Sequence, residues 1–498
     1  MLLLQFIAEI AGFLSAAVIL IFALAQAWLA FQYWLTKNSV AHAVETPAPW
    51  KGHYPTVLLQ LPIYNERYVV ERLLQCVSKI DYPRDRLSIQ LLDDSSDETT
   101  AIAAPIVAAL KKQGLNIEHV RRPVRHGFKA GALEYGLSLN NSEFIAIFDA
   151  DFLPRPEFVK QVIAYFSDPK VGMVQTRWEH LNADYSLITR MLAFAIDAHF
   201  SVEHGGRQAT DSFINFNGTG GMWRRKTIED AGGWKSDTLT EDLDLSFRSQ
   251  IRGWKFIFAE NITTPSELPV QMSAVRSQQF RWTKGAAETG RKTLANLWHS
   301  SKGILTKVVA SFHMLNSFIF IFMLLFGLST AVLPFLGIVN FAMVSVILNV
   351  MIGVAMIATV FTYWTAQRSG DFTFNSRNPF RIILTTVEFI ALVTGLSVHC
   401  SLAVLQGMMG WATPFVRTPK LAITAKGDVI AGKHAYNISS IPPGVIIEIA
   451  LSVMFISLLI FSFGHAAFAF AGVYVFYGIG FGMVSYLSLR EAFARGVA

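Results

Sequence analysis

Long stretches of this chain run for roughly 20 residues or more almost without charge, the length of helix that crosses a hydrocarbon layer. They fall at about residues 10–35, 308–335, 338–364, 382–410, 445–464 and 466–489, with Pro334, Gly337 and His465 at the turns between neighbours. Most of the acids, and frequent Pro and Gly, lie instead between about residues 51 and 300. A chain that is 52% hydrophobic and 16% charged, with mean hydropathy +0.39 over 498 residues, is too apolar for an ordinary soluble protein. The pattern predicts one polar domain inserted between membrane helices.

Charge predicts how the helices are oriented. No Lys or Arg precedes the first span and Lys37 follows it, the reverse of a cleavable signal peptide, so the N-terminus is expected outside and the polar domain in the cytoplasm. Arg368, Arg377 and Arg381 precede residues 382–410, and Arg417, Lys420, Lys426 and Lys433 follow them, so both flanks favour the cytoplasm. That stretch, with Glu388, Gly395, His399 and Gln406 along it, reads as interfacial or re-entrant. Five spans then remain, with Arg490 and Arg495 inside; the alternative is a sixth crossing that tolerates misplaced charge. The expected organisation is a membrane helix (1–36), the polar domain (51–270), an amphipathic interfacial segment (271–303), two spans (308–366), the re-entrant segment (382–410), a cytoplasmic loop (411–441) and two further spans (445–489). The net charge of +6 sits mainly at membrane edges and does not imply nucleic acid, and Cys76 and Cys400 alone cannot build a disulfide framework or a thiolate metal site.

Within the polar domain, a buried-strand run at residues 57–62 ends in Ile63-Tyr64-Asn65-Glu66, and Val69, Val70, Leu73, Leu74 and Val77 follow at helical spacing. Strand and helix patterns then alternate at 87–92, 100–112, 117–121, 129–139 and 144–148, which predicts an α/β fold: a wound βαβ sheet of parallel strands. Such sheets bind ligands beyond the carboxyl ends of their strands, where Glu66, Asp93, Asp94, Asp149 and Asp151 fall. Acids are also common in turns and caps, so each alone is weak evidence. Asp149 and Asp151, two apart at a strand end, share a face and suit a hard ion such as Mg²⁺ or Mn²⁺ bound with a diphosphate.

Thr240-Glu241-Asp242 opens a helical pattern, with Thr240 placed as its cap and the acids in the first turn. Asp242 is the candidate general base, with Glu241 in support, for a reaction in which a hydroxyl attacks opposite a leaving diphosphate. Gln278-Gln279-Phe280-Arg281-Trp282 precedes the membrane; an anchor is the plain reading, yet the indole of Trp282 offers a face for a sugar ring and Arg281 can reach phosphate oxygens. Asn217-Gly218-Thr219-Gly220-Gly221 supplies compact backbone for close approach to an acceptor, and equally reads as an ordinary loop.

Taken with Leu61-Pro62-Ile63-Tyr64-Asn65-Glu66-Arg67, Lys129-Ala130-Gly131-Ala132-Leu133, Val174-Gln175-Thr176-Arg177-Trp178, Phe216-Asn217-Gly218-Thr219 and Gly232-Gly233-Trp234-Lys235, these segments resemble the processive family 2 glycosyltransferases of the cellulose, hyaluronan and mannan synthase group. Among them the cellulose synthase-like mannan and glucan synthases are the most similar. The resemblance implies a GT-A-like catalytic domain between transmembrane helices, an inverting transferase that takes a UDP- or GDP-hexose and extends a growing polysaccharide. By motif, it implies that Glu66, Asp93 and Asp94 hold the nucleoside, that Lys129 faces the nucleotide, and that Asp149 and Asp151 hold metal and diphosphate. It implies further that Asp242 is the base, and that Gln278, Arg281 and Trp282 bind the donor diphosphate and the acceptor's terminal sugar. Phe415, Thr418 and Lys420 fall in a segment that resembles the gating loop of these synthases, with Arg417 inserted and Thr418 shifted. Localisation is expected in a cell or inner membrane with the domain in the cytoplasm, or in a Golgi membrane if the cell is eukaryotic. Two alternatives compete: a glycolipid synthase that transfers a single sugar to a membrane lipid, and a transporter suggested by His313, Glu388, His399 and Glu448 in apolar segments. A transporter has no need of the acidic set.

Overall fold

The computed structural model describes residues 2–37, 47–336, 341–368, 378–413, 416–428, 442–465 and 468–494. Alternation along the strands builds the domain. In β1 (Val57–Ile63), Val57, Leu59, Leu61 and Ile63 enter one core while Leu58 enters the other. The same split recurs in β2 (Leu87–Asp93) and β4 (Phe144–Ile147), where Phe144 and Ala146 face the first core and Ile145 and Ile147 the second. Helices Val70–Val77 and Thr99–Lys112 cover one face, and Phe128–Ser138 covers the other. With β3 (Ile117–Val120), β5 (Val171–His180), β6 (Gly221–Arg224) and β7 (Lys255–Ser266), the strand order is β3-β2-β1-β4-β6-β5-β7.

The pairings among β3, β2, β1 and β4 are parallel, as the alternation predicts, but β6 runs antiparallel to both β4 and β5. The expectation of a purely parallel sheet is thereby corrected. β6, Gly-Met-Trp-Arg, makes no apolar run of its own, and its direction shows only in its pairing with the four-residue β4 and the ten-residue β5.

Among the described residues, five helices are long and apolar enough to cross a membrane: Leu3–Lys37, Ile304–Phe335, Phe341–Arg368, Gly444–Gly464 and Phe468–Phe493. By length and composition this is a multi-spanning membrane protein. The stretch expected to be re-entrant is a pair of helices, Pro379–Gly395 and Ser397–Met409, bent by 54°. Its first half meets the last helix backbone to backbone: a Cβ on Gly480 would stand 2.4 Å from the Ala391 carbonyl oxygen, and one on Gly395 would stand 2.2 Å from that of Gly480. Gly480→Ala is therefore expected to destabilise the helical bundle by about 1–3 kcal/mol, the usual cost of overpacking. Thermal unfolding in detergent would register the loss as a lowered midpoint, and an unchanged midpoint would show that the helices can separate at no cost.

Helix Met272–His299 joins the domain to the bundle. It is wedged between the start of helix Glu241–Ile251 and the second half of the bent pair: Gly285 lies against Thr240, and Gly407 against Lys284 and Ala287. The Lys284 ammonium, buried, donates to the Trp411 carbonyl and to Thr413 Oγ1 (2.8 Å), so the chain leaving the bent pair turns back toward the domain. The first membrane helix is tied to the domain as well, through Tyr33 and Lys37 on Glu260 (2.5 and 2.9 Å).

Candidate active site

A cleft of about 210 Å³ opens at the carboxyl ends of β1 and β4. Tyr64, Glu66, Asp94, Lys129, Asp149, Asp151, Asn217, Gly218, Glu241, Asp242, Gln278, Arg281, Trp282, Thr418 and Lys420 all line it. Segments more than 300 residues apart in sequence therefore converge on one cavity. After β1 the backbone passes through Asn65 at φ +57°, a left-handed conformation that Asn tolerates. Its N–H donates to Ser95 Oγ and its Oδ1 accepts from the Ser96 N–H, both at 2.9 Å, which fixes the turn that carries Tyr64 and Glu66.

Asp93 and Asp94 part company. Consecutive residues at a strand end point to opposite sides, and only Asp94 reaches the cleft, gripped by both arms of Arg122 at 2.8 and 2.6 Å. Asp93 is buried in the loop: Oδ1 accepts from the Ser95 N–H at 2.8 Å, and Oδ2 accepts from Thr100 Oγ1 at 2.7 Å and lies 2.8 Å from His119 Nε2. Against burial, which opposes its charge, these partners hold its carboxyl down to about 2. The structure thus places Asp93 in the turn beside the cleft and not among the residues that line it. Thr219 is likewise behind the cleft wall, its Oγ1 accepting the Asp149 N–H at 2.9 Å, so it supports Asp149 and is not placed to touch an acceptor.

Each acid of the Asp149/Asp151 pair carries a lysine. Lys129 Nζ lies 2.5 Å from Asp149 Oδ1 and 2.8 Å from the Gly218 carbonyl, while Lys420 Nζ lies 2.5 Å from Asp151 Oδ1 and 3.9 Å from Glu66. Burial works against the Lys420 charge, but Asp151, Glu66 and Asp149 together hold its ammonium well above the ordinary value. Burial pushes the Glu66 carboxyl the other way, up to about 7, in spite of Lys420 and of Arg417 at 2.9 Å. Gly218, at φ +82°, marks how tightly the parts meet: a Cβ there would stand 3.0 Å from Asp242 Oδ2 and 3.4 Å from Lys129 Nζ. Asp242 is thus adjacent to the lysine that holds Asp149.

Glu241 and Asp242 begin helix Glu241–Ile251. Thr240 stands at the cap position, but its hydroxyl makes no capping bond and lies 3.3 Å from that of Thr289, so capping does not account for it. Burial first, then the neighbouring Glu241 charge, pushes the Asp242 carboxyl up to about 7. From helix Met272–His299, Arg281 Nη2 donates to Thr418 Oγ1 at 2.8 Å. Phe415, the remaining gating-loop candidate, lies outside the described residues. Arg417, read from sequence as an insertion, reaches Glu66 and the Tyr64 carbonyl (3.2 Å).

Among the cleft residues with no role assigned from sequence are Tyr64, Arg125 and Trp178. Tyr64 lies under the Arg125 guanidinium, 3.5 Å from its ring centroid, and Trp178 forms part of the wall beside Phe152 and Phe200. Only the aromatic or cationic character of these side chains could have flagged them. The acids present suit a hard divalent ion: Asp149 and Asp151 offer oxygen ligands, and among the described residues no group of three or more His, Cys, Asp or Glu forms a complete protein cage. Mg²⁺ and Mn²⁺ sites of this type use one or two carboxylates and are completed by substrate phosphates.

Residues 55–285 match the family model described as "Glycosyltransferase like family 2". The chain is 39% identical over 277 residues to a probable glucomannan 4-beta-mannosyltransferase 15 of Arabidopsis thaliana, and 41% identical over 275 residues to a probable glucomannan 4-beta-mannosyltransferase 4 of Oryza sativa subsp. japonica. These alignments cover 54% of this chain and 51% and 49% of the relatives, so the chain spans about half the length of the curated relatives it matches. Among solved structures, a mannosyltransferase of Pyrobaculum calidifontis in complex with GDP-Man and Mn²⁺ shares the fold, with TM-score 0.52 and 19% identity over 76% of this chain and 98% of that one.

Proposed function

We propose, from the match of residues 55–285 to the model described as glycosyltransferase like family 2, that this chain is a membrane-embedded inverting hexosyltransferase that extends a β-linked mannan- or glucan-type polysaccharide from a nucleotide-sugar donor. The observation that carries this reading is the convergence on one cleft of acids from two strand ends, acids from a helix start, and Gln278, Arg281 and Trp282 from the helix that enters the membrane. The naming of the curated relatives supports mannose as the sugar.

In this reading Tyr64, Glu66 and Asp94 form the nucleoside end of the cleft. Lys129 and Arg281 face the diphosphate, and Trp282 offers a flat apolar surface to the acceptor's terminal sugar. Asp242 takes the proton from the attacking hydroxyl, and Glu241 beside it disfavours a second negative charge and so strengthens its basicity. Mg²⁺ or Mn²⁺ held by Asp149 and Asp151 would neutralise charge on the departing nucleoside diphosphate. Thr418, Arg417 and Lys420 close one side of the cleft and bring cations to the same acids.

The product distinguishes processive from single transfer. Label incorporated from donor should appear in a polymer that a linkage-specific endo-β-mannanase degrades; a single labelled lipid on thin-layer plates would establish the glycolipid synthase instead. The same reading sets the loop expected at residues 411–441, of which 411–413 and 416–428 are described, on the cytoplasmic side with the catalytic domain, with the bent pair re-entrant. A cysteine in place of Lys426, in a background lacking Cys76 and Cys400, is expected to resist a membrane-impermeant thiol reagent in intact cells and to react in inverted vesicles. Labelling from outside would establish the sixth crossing.

A further inference from the structure

Glu448, one of the acids that lie in apolar segments, has no part in the chemistry above. It sits in the second turn of span Gly444–Gly464, fully buried, and the Arg276 guanidinium, 3% exposed, meets it with both arms: Nη1 donates to Oε1 at 2.8 Å and Nη2 donates to Oε2. Arg276 belongs to helix Met272–His299, the helix that carries Gln278, Arg281 and Trp282 to the cleft. Other groups of the bundle hold the same turn. Arg276 Nε donates to Ser488 Oγ at 3.1 Å, its carbonyl accepts from His399 Nε2 at 3.0 Å, and Glu491 accepts from the Ser273 N–H at 3.0 Å and from the Ser273 hydroxyl.

At about 100° per residue, Gln278, Arg281 and Trp282 all fall within about 60° of the direction opposite Arg276. One face of the helix is thus fastened to the membrane bundle, and the other lines the cleft, where Arg281 also meets Thr418. Turning the helix about its axis would carry all three cleft side chains together. The forked ion pair resists that turn, because two parallel bonds fix the plane of the guanidinium. Stability alone does not call for a charged pair: the attraction of two ions taken out of water is largely offset by their desolvation, and an apolar pair of similar volume often holds as well or better. An ionisable group kept inside a span is by default a functional one. We infer that Glu448 is a positioning residue, which through Arg276 fixes the rotation of helix Met272–His299 and so aims Gln278 and Arg281 at the donor diphosphate. This rests on the hexosyltransferase reading and adds to it a control on donor binding exerted from within the membrane bundle.

The test uses the full-length protein in nanodiscs, with calorimetric binding of GDP in the presence of Mn²⁺, or of UDP where wild type uses a UDP-hexose, and with transfer from the matching donor. The double variant Arg276→Met/Glu448→Met removes both charges and keeps most of the volume, so its thermal unfolding midpoint should lie at or above that of wild type. The nucleotide should still bind it about tenfold more weakly, the order of effect of one lost charge-assisted hydrogen bond, and transfer should slow by about 10²-fold, the scale of a misplacement of about 1 Å. The deciding comparison is a cycle with Gln278→Ala/Arg281→Ala. When Glu448 acts through that face, the double variant weakens nucleotide binding no further in this background, whereas independent effects multiply. Wild-type nucleotide affinity in the folded double variant, or losses that multiply, overturns the inference. Should the double variant fail to fold, Arg276→Lys carries the same cycle, because it keeps a charge opposite Glu448 and cannot make the fork: weakened binding that disappears in the Gln278→Ala/Arg281→Ala background supports the inference, and wild-type binding overturns it. Absence of any transfer by wild type would remove the underlying hexosyltransferase reading and this inference with it, whereas wild-type transfer that the double variant matches overturns this inference alone.

Discussion

Asp242→Asn is expected to bind the nucleotide sugar as wild type does and to transfer it roughly 10²- to 10⁴-fold more slowly, the usual worth of a positioned proton transfer. Asn keeps the shape of the side chain and removes its basicity. Because burial and Glu241 push the Asp242 carboxyl up to about 7, the wild-type rate should fall as pH drops through that value, and this acid limb should be missing from the residual activity of the variant. Stability runs the other way. A carboxyl whose folded value lies above its unfolded one, near 4, leaves the native state holding more protons across that window, so wild-type stability declines as pH rises from about 4 to 7. Removing the charge relieves that decline, and the variant should unfold no earlier than wild type at pH 8. Calorimetric donor titration and single-turnover transfer separate the outcomes. Lost donor affinity with intact turnover would make Asp242 a donor ligand, and the base would be sought first at Glu241.

Asp151→Ala is expected to lower turnover by about 10²-fold or more, the scale of losing a principal stabiliser of developing charge. Excess EDTA should do the same to wild type, with activity restored by Mg²⁺ or Mn²⁺. The substitution also removes the shortest ion pair of Lys420, leaving it Glu66 at 3.9 Å and the more distant charge of Asp149. Retained folding by circular dichroism, together with the lost rate, assigns the effect to chemistry. Full turnover in EDTA would exclude the metal and leave Asp151 as the anchor of the 416–420 segment.

The strand–helix alternation was readable because each strand is a short run of apolar residues and each helix shows an apolar stripe: Val70, Leu73, Leu74 and Val77 of one helix enter the same core as Leu59 and Leu61 of β1. The acids at strand ends were readable for the same reason, since the end of an apolar run marks the ligand edge. Which of two adjacent acids faces the cleft was not. Asp93 and Asp94 differ only in the side of the strand they leave from, and that choice depends on Arg122 and His119, about 26 to 28 residues away. β6 escaped notice because Gly221 and Arg224 flank its two apolar residues and leave no run like the equally short Phe144–Ile147 of β4, and the π-helical turn at His199–Gly205 because one extra residue per turn leaves no mark on a hydrophobic pattern. Arg417 looked like an interruption of a motif. Its partner Glu66 lies 351 residues earlier in the chain, and only the path set by Lys284 and the bent helix pair brings the two together.

The most direct measurement is hexosyl transfer by purified protein in nanodiscs, given labelled GDP-mannose, GDP-glucose, UDP-glucose and UDP-N-acetylglucosamine in parallel, with Asp242→Asn as the control. The expected result is Mg²⁺- or Mn²⁺-dependent release of nucleoside diphosphate from GDP-mannose, with label in a β-mannanase-sensitive polymer and neither signal in the control. Binding of nucleotide sugars without transfer from any of them, or transfer that Asp242→Asn sustains at the wild-type rate, would contradict the assignment of this cleft as a hexosyltransferase active site.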